Sequence, residues 1–466
     1  MISIGDMPLN QFKRNGCLLF AIALVWTWVH TLFWSNASSG ITYDNLLFGV
    51  NADWLASVAA STVALVAWAL SRALFRARRE HIAAARLSLV VCIIMLAGLS
   101  LLVAGSVSSL EALRVAGYLL TGLGSGSFMF AIGRAMVGLG NLEIILSVFA
   151  GLAVSAALCI VFEAMDQWLV TLCMFAIPFV SFPLLNKALV KQQPDELVES
   201  PSRQDGANLR TLTIVMLVSA FAVGLTVGFM GGFGGQGATI SLGSSDVVVN
   251  RYLINLIICV IALVVLLALG TSYLKSLVAL VIGAGALLVA NSIFGAGIGQ
   301  VTHIASLCLF TSLLWSFCGI CTSTRHDVRF FAFGIALYQV GQIVGVVLFS
   351  MLNLAGQSLP ESISLLAAFA LLTAGAIILA NTNRLSIDSV TSAVDTRQQA
   401  LAVAAEFGLT EREAEIFSLM VDGLDVEDIS NQLFITQGTV RTHTKRIYAK
   451  LDVHSKKEAL ALVKGN

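Results

Sequence analysis

The sequence predicts an all-α protein in two unlike parts: a polytopic bundle of about twelve membrane-spanning helices, then a small four-helix tail. Hydrophobic residues make up 57% of the 466 and charged residues 12%, with mean hydropathy +0.88, where a soluble chain is about a quarter charged. Apolar runs of membrane length recur from residue 16 to residue 381 and then stop, and beyond Asn381 charges return every few residues. A single soluble globule is excluded.

A bilayer core needs about 20 consecutive apolar residues as helix. Runs of that kind occupy 16–34, 47–71, 87–105, 112–137, 142–162, 168–189, 212–232, 250–271, 275–294, 301–321, 330–352 and 361–381. The first follows Lys13 and Arg14 as a signal peptide would, but no small-residue cleavage site follows it, so it reads as a retained first helix. All eight cysteines (Cys17, Cys92, Cys159, Cys173, Cys259, Cys308, Cys318, Cys321) fall inside apolar runs, which argues against a disulfide framework.

Orientation follows from the basic residues near span ends, because loops rich in Lys and Arg stay on the cytoplasmic side. Alternate loops carry Lys13 and Arg14; Arg72, Arg76, Arg78, Arg79 and Arg86; Arg134; Lys187, Lys191, Arg203 and Arg210; Lys275; Arg325 and Arg329; and Arg384. The opposite side has Arg114 and Arg251. Both termini are expected in the cytoplasm of a bacterial inner-membrane protein, which requires an even number of spans.

The hydrophilic stretch KQQPDELVESPSRQDGANLR divides the spans into a first bundle (1–190), a linker (191–211) and a second bundle (212–381). Span count, central loop and the basic loop after the second span resemble the major facilitator layout of two six-helix halves. The Gly-Asp-Arg-Gly-Arg type loop signature of those transporters is not evident in SRALFRARREH.

After the last span, residues 382–408 read as a linker with a short alanine-rich helix at 397–407 ending at Gly408, and 409–466 as the compact tail. Thr410 with Glu413 forms a capping box before EREAEIFSLMVDG; Asp425 caps VEDISNQL; Thr436 caps QGTVRTHTKRIYAKL; Ser455 caps KKEALALV. Helix, short turn, helix with a basic second member is the layout of a helix-turn-helix DNA reader. Arg441, Lys445, Arg446 and Lys450, with His443, lie on the third helix with no acid between 437 and 451, as on a phosphate-facing surface.

From LTEREAEIFSLMVDG through DVEDISNQLFIT to GTVRTHTKRIYAKLDVHSKKEAL, the tail resembles the LuxR-type DNA-binding domain over about 58 residues. Leu409-Thr410, Glu413, Ile429, Leu433, Thr439-Val440, His443, Ile447, Tyr448, Lys450-Leu451 and Val453 stand at family positions. The resemblance implies that Arg441, Thr442 and Lys445 face base edges, with Arg446 on the same basic helix, while Thr436, Thr439, His443 and Lys450 hold phosphates of double-stranded DNA. It implies inward packing for Val440 and Ile447, and a homodimer contact through the last helix at Leu460 and Val463. Glu427 stands where the family often has a lysine, and Gly438 replaces a better helix former.

Ionisable groups inside spans are candidate functional groups. Asp53 and Arg114, both toward the outer half, could form an ion pair lining an outward-facing cavity or be solvated separately. Asn291, Gln339 and Gln342 join them as candidate ligand-binding residues for an unidentified small molecule, with His30, Asn255 and His303 as further in-span polar groups. Interhelical hydrogen bonds explain such residues at least as often as ligands do. Trp26, Trp28, Trp34 and Trp54 read as an interfacial belt in the lipid bilayer rather than a ligand cage. The glycine runs GLGSGSFMFAIG and GFMGGFGGQG lack the strand and Lys-Ser/Thr ending of a phosphate loop and read as close helix packing and an outer loop. Cys318 and Cys321 with His326 lack further ligands for a metal, and no nucleophile-base constellation or paired-carboxylate motif is present. No cofactor, metal or catalytic site is expected. The resulting expectation is a non-enzymatic membrane sensor that controls DNA through its tail; the alternative is a secondary transporter with a DNA-binding regulatory tail.

Overall fold

In the computed structural model, the described residues are 9–34, 46–47, 50–71, 80–190, 203–231, 239–241, 248–269, 298–325, 327–354, 399–421, 426, 429–430, 433 and 435–465. The chain divides into two compact units, Met1–Leu385 and Ser386–Asn466.

The first unit contains ten described helices: α1 Leu9–Trp34, α2 Ala52–Leu70, α3 Glu80–Ser108, α4 Glu111–Met136, α5 Asn141–Glu163, α6 Gln167–Val190, α7 Arg203–Gly231, α8 Arg251–Leu269, α9 Ile298–Arg325 and α10 Arg329–Leu354. They correspond to the first eight expected spans and to the tenth and eleventh; spans 275–294 and 361–381 lie outside the described residues. Among the described residues, eight helices are long and apolar enough to cross a bilayer, and α7 and α8 carry the shorter apolar stretches Met216–Gly228 and Arg251–Val265. Several helices overrun the apolar windows: α1 starts at Leu9, α3 at Glu80, and α7 at Arg203, inside the stretch 191–211 expected as a linker. Backbone hydrogen bonding continues past the bilayer-length segment, which hydropathy alone does not register.

Two short antiparallel pairs were not expected: β1 Leu46–Leu47 with β2 Val50–Asn51, and β3 Thr239–Ser241 with β4 Val248–Asn250. The second is rich in β-branched residues, which suit a pleated backbone better than a loop. It ends at Asn250, whose side-chain oxygen accepts the Tyr252 N–H at 2.8 Å and starts α8.

Within the first half α3 and α2 lie against α4, and α1 against α5 and α6; within the second, α7 lies along α10, with α9 against α8 and α10. The halves meet through α5 with α8 and α2 with α10. Numbered by the expected spans, these are pairs 5–8 and 2–11, which exchange when each span is replaced by its expected counterpart six spans away, as two like halves would require.

Small residues set the close approaches. A Cβ on Gly122 or Gly126 of α4 would lie 2.2 or 2.4 Å from the Ser57 or Ser61 carbonyl oxygen of α2, so the first glycine run is a helix-packing surface, as expected. On the other half, a Cβ on Gly224 or Gly228 of α7 would lie 2.0 or 2.1 Å from the Tyr338 or Gln342 carbonyl oxygen of α10.

The second unit holds α11 Glu411–Val421, α12 Gln437–Leu451 and α13 Lys456–Gly465, preceded by helical residues 399–406. Gly408 adopts φ +63° after that leading helix, as a left-handed stop. Ala400, Val403 and Ala404 are buried in one core with Phe417, Met420, Ile429, Val440 and Ile447. The leading helix therefore packs with the tail rather than with the connecting segment, because its three small apolar residues share one face.

Candidate nucleic-acid interface and polar groups of the membrane unit

Among the described residues, the expected ligand residues of the membrane unit do not gather at one place. Asp53 and Arg114 are buried at 3% and 5% exposure, at the starts of α2 and α4, which pack on each other. Their charges act on one another, and Glu111 and Tyr118 share the neighbourhood. The Arg114 stem lies over Gly105 of α3. Separate solvation of the two at an interface is excluded by that burial.

Gln339 lies against a part of α2 about 12 Å further along the helix from Asp53. Its amide nitrogen donates to Ser61 Oγ at 3.0 Å, and its amide oxygen accepts from Thr62 Oγ1 at 3.0 Å. Both amide ends are thus engaged across the junction of the halves, which is a clasp between α2 and α10. Gln342 donates to the Tyr338 hydroxyl at 3.1 Å, which pairs with Thr311 of α9 at 3.2 Å. Asn291 and His326 lie outside the described residues.

Two tryptophans correct the expected belt. Trp28 is fully buried and Trp26 nearly so, and the Trp26 ring packs, tilted, at 5.3 Å from His30 and at 5.3 Å from Trp315. The α1 sequence is apolar all round, so its period cannot mark which face is inside. Cys318 and Cys321 are both buried. Among the described residues no three His, Cys, Asp or Glu side chains cluster as metal ligands would.

In the tail, the capping residues set the helix that carries the basic face. Thr410 N–H donates to Glu413 Oε2 at 2.9 Å and Glu413 N–H to Thr410 Oγ1 at 3.4 Å, a reciprocal box at the head of α11. Thr436 Oγ1 accepts the Thr439 N–H at 3.2 Å and meets Thr439 Oγ1 at 2.9 Å, opening α12. Ser455 Oγ accepts the Glu458 N–H at 3.2 Å while Glu458 accepts from His454 N–H at 2.9 Å, opening α13. The expected cap at Asp425 lies outside the described residues.

α12 divides cleanly by face. Val440, Ile447 and Leu451, at spacings of seven and four, are buried in the core. Thr444, on the same side, donates to the Val440 carbonyl oxygen at 2.9 Å. Thr436, Thr439, Arg441, Thr442, Lys445 and Arg446 are exposed, and Thr442 donates back to the Gly438 carbonyl oxygen at 2.9 Å. Arg441 with Lys445 and Thr442 with Arg446 form adjacent i, i+4 rows, so three cations share one solvent face with no acid between them. His443 is half-buried, its Nδ1 without a hydrogen-bond partner.

The family profile GerE, described as bacterial regulatory proteins of the luxR family, matches residues 408–463. The spore germination protein GerE of Bacillus subtilis strain 168 is 38% identical over 52 residues, which are 11% of this chain and 70% of that protein. The chain belongs to the LuxR family of bacterial regulatory proteins. The same segment is similar to the transcriptional regulatory protein LiaR of Bacillus subtilis strain 168, 45% identical over 51 residues, 11% of this chain and 24% of LiaR. It is also similar to the response regulatory protein YgeK of Escherichia coli strain K12, 49% identical over 47 residues, 10% of this chain and 32% of YgeK. The chain thus spans about a quarter to a third of the length of those two relatives.

The remaining four fifths has the fold of major facilitator transporters. A bacterial homologue of the iron transporter ferroportin, in an outward-facing state, aligns with TM-score 0.55 over 81% of this chain and 100% of that one at 12% identity. The major facilitator superfamily transporter FucP, in the outward conformation, aligns with TM-score 0.52 over 77% and 97% at 12% identity.

Two residues of the LuxR-type tail are placed differently from expectation. Lys450 Nζ donates to Glu413 Oε2 at 2.7 Å and to the Gly408 carbonyl oxygen at 3.0 Å. Its charge is drawn to the start of α11 rather than to the face of Arg441. The Lys450 ammonium and the Thr410 N–H together hold the Glu413 carboxyl down at about 2, well below the usual carboxylate range. Val463 is fully buried in the tail's core, while Leu460 is partly exposed. Val463 therefore fills the core instead of the outer face of α13. Sequence reasoning missed the Glu413–Lys450 pair because its members stand 37 residues apart on different helices.

Proposed function

We propose that the chain is a membrane-embedded one-component transcription regulator that senses a small molecule through its transporter-fold unit and binds double-stranded DNA through its LuxR-type tail. The observation that carries this reading is the acid-free, exposed face of Arg441, Lys445 and Arg446 on a helix whose opposite face is locked into the tail's core. That face sits on the same chain as a two-half fold, and two halves that can rock supply a two-state element for a ligand to bias. In the proposed placement, the bundle (1–190 and 212–381, joined by 191–211) lies in a bacterial inner membrane with both termini in the cytoplasm. The basic loops named above support that orientation.

Residues 409–466 carry eight basic and nine acidic side chains, so one tail alone has little net attraction for DNA. Two tails on adjoining half-sites gain affinity through effective concentration, which makes homodimerisation the control point. With Val463 buried, contact through α13 falls to Leu460 and its exposed neighbours. Arg441, Thr442 and Lys445 read bases, and Thr436, Thr439 and His443 hold phosphates.

The test is genome-wide DNA occupancy of the full-length, membrane-embedded chain beside an Arg441→Ala/Lys445→Ala control. Discrete peaks lost in the control are expected; the absence of peaks across growth conditions would overturn the reading. A second reading, a secondary transporter whose tail reports its occupancy, is favoured by one observation: Asp53 is buried with its Oδ2 lacking a hydrogen-bond partner, as a proton-carrying carboxyl would be. Proton-coupled uptake abolished by Asp53→Asn would establish it.

A further inference from the structure

The junction of α1, α8 and α9 holds a contiguous group of rings from both halves. Trp26 and His30 come from α1, Tyr252 from α8, and Trp315 from α9. Ring centroids are 5.3 Å apart for Trp26–His30, 5.7 Å for His30–Tyr252 and 5.3 Å for Trp26–Trp315, and every pair is tilted rather than stacked flat. The His30–Tyr252 and Trp26–Trp315 contacts each join the first half to the second.

Three polar atoms at the same junction are buried. The Trp26 indole N–H, the Tyr252 hydroxyl and the Asn255 amide oxygen are each enclosed without a hydrogen-bond partner, and Tyr252 is 1% exposed. Asn255 stands three residues after Tyr252, on the same side of α8. Leaving such a group unpartnered opposes folding, and phenylalanine at Tyr252 or leucine at Asn255 would fill nearly the same volume without that cost. The Trp28 N–H is also unpartnered, but two residues along α1 from Trp26 it lies on another face. Ring walls with a few convergent donors and acceptors are the make-up of a small-molecule site.

We propose that this junction binds a small planar aromatic molecule, its ring lodged against Trp26, His30, Tyr252 and Trp315 and its polar substituents met by the Trp26 N–H, the Tyr252 hydroxyl and the Asn255 amide oxygen. The proposal rests on the sensor reading above and names its ligand class and place. Because the walls come from both halves, a bound ring changes the balance between arrangements of those halves, which is the differential affinity that a switch requires. Arg251, which acts electrostatically on His30, and Glu163, which acts on Tyr252, place opposite charges nearby, so the ring can be neutral or carry a carboxylate on the Arg251 side.

The experiment uses the full chain in lipid nanodiscs and saturation-transfer NMR with phenol and benzoate as probes, each beside its saturated counterpart, cyclohexanol and cyclohexanecarboxylate. Saturable binding of phenol or benzoate is expected, with little or none of the saturated partner. Tyr252→Phe and Trp26→Phe should weaken binding by about two- to tenfold, the worth of one hydrogen bond. The melting temperature of Tyr252→Phe should be unchanged or raised, since the hydroxyl it removes is unpartnered within the protein; Trp26→Phe also leaves a cavity beside His30 and Trp315 and is read for binding alone. Equal binding of ring and saturated probes, no saturable binding of either aromatic, or a Tyr252→Phe variant that loses melting temperature while binding as before would each overturn the proposal. Operator occupancy in cells, read in parallel over a panel of growth compounds, separates the two readings. Occupancy that responds to compounds while neither aromatic probe binds removes the aromatic site and leaves the sensor. Aromatic binding without any occupancy response supports the site and removes sensing.

Discussion

The membrane unit and the LuxR-type tail are both helical, yet they are held together by opposite means. In the tail, each described helix buries one apolar face, as α12 does with Val440, Ile447 and Leu451, and most charges face outward, Glu413 being the buried exception. The driving force is removal of apolar surface from water. In the membrane unit the lipid-facing surface is apolar as well, with Val63, Ile93, Val161 and Ile261 exposed. Burying such residues gains little there, so close backbone approach and interior hydrogen bonds decide the packing. The glycines of α4 and α7 and the Gln339 clasp are those devices.

That contrast sets where each unit breaks. The largest effect is expected at the α7–α10 contact: Gly224→Leu or Gly228→Leu must push two helix backbones apart, at more than about 3 kcal/mol. The measurement is the yield of monodisperse full-length protein in detergent, which should collapse. Wild-type yield would show that the helices are not held at the distance described.

On the tail's outer face the expected loss is in binding and not in folding. Arg441→Ala should weaken operator binding by about 1–3 kcal/mol and relax base preference, with the melting curve unchanged because the side chain is exposed. Fluorescence anisotropy with an operator duplex checks it; unchanged sequence preference would remove Arg441 from base reading. Lys450→Met is expected to behave in the opposite way. By stranding the buried Glu413 it should cost about 1–3 kcal/mol of tail stability and alter DNA binding less than Arg441→Ala does.

The same pair predicts a pH dependence. Glu413 is held near 2 when folded against an ordinary 4.5. A depressed folded value means that its contribution is complete above about pH 5 and is lost as pH falls through 4.5 toward 2. Thermal melts of the tail unit should show Glu413→Gln flattening that part of the acid profile. The smallest effect is expected at the clasp. Gln339→Leu should cost only about 1 kcal/mol, since the single Thr62 hydroxyl proton is shared between Gln339 and the Val58 carbonyl oxygen at 2.9 Å and keeps the latter partner. A much larger loss of melting temperature would mean that the clasp, rather than glycine packing, holds the halves.

The tail's site was legible in its sequence because every signal it needs is local. Thr436 with Thr439 and Thr410 with Glu413 announce caps within four residues, and the helical period of α12 sorts Val440 from Arg441. The membrane unit's interior was not legible in that way. Asp53 and Arg114 were found as in-span charges, but Trp26 was assigned to a lipid interface and Tyr252 and Trp315 drew no notice. In a helix that is apolar on all sides, periodicity carries no information about which face meets another helix.

The sequence by itself determined the division into membrane bundle and DNA-reading tail, the course of ten described helices and the basic face of α12. These depend on composition, caps and period, which act within a few turns. Tertiary structure alone decided that Lys450 turns to Glu413, that Val463 fills the core, that Gln339 joins the two halves, and that the rings of α1, α8 and α9 meet. Each of these joins residues far apart in the chain, and such contacts are chosen by the fit of whole helix surfaces, for which no local pattern stands proxy.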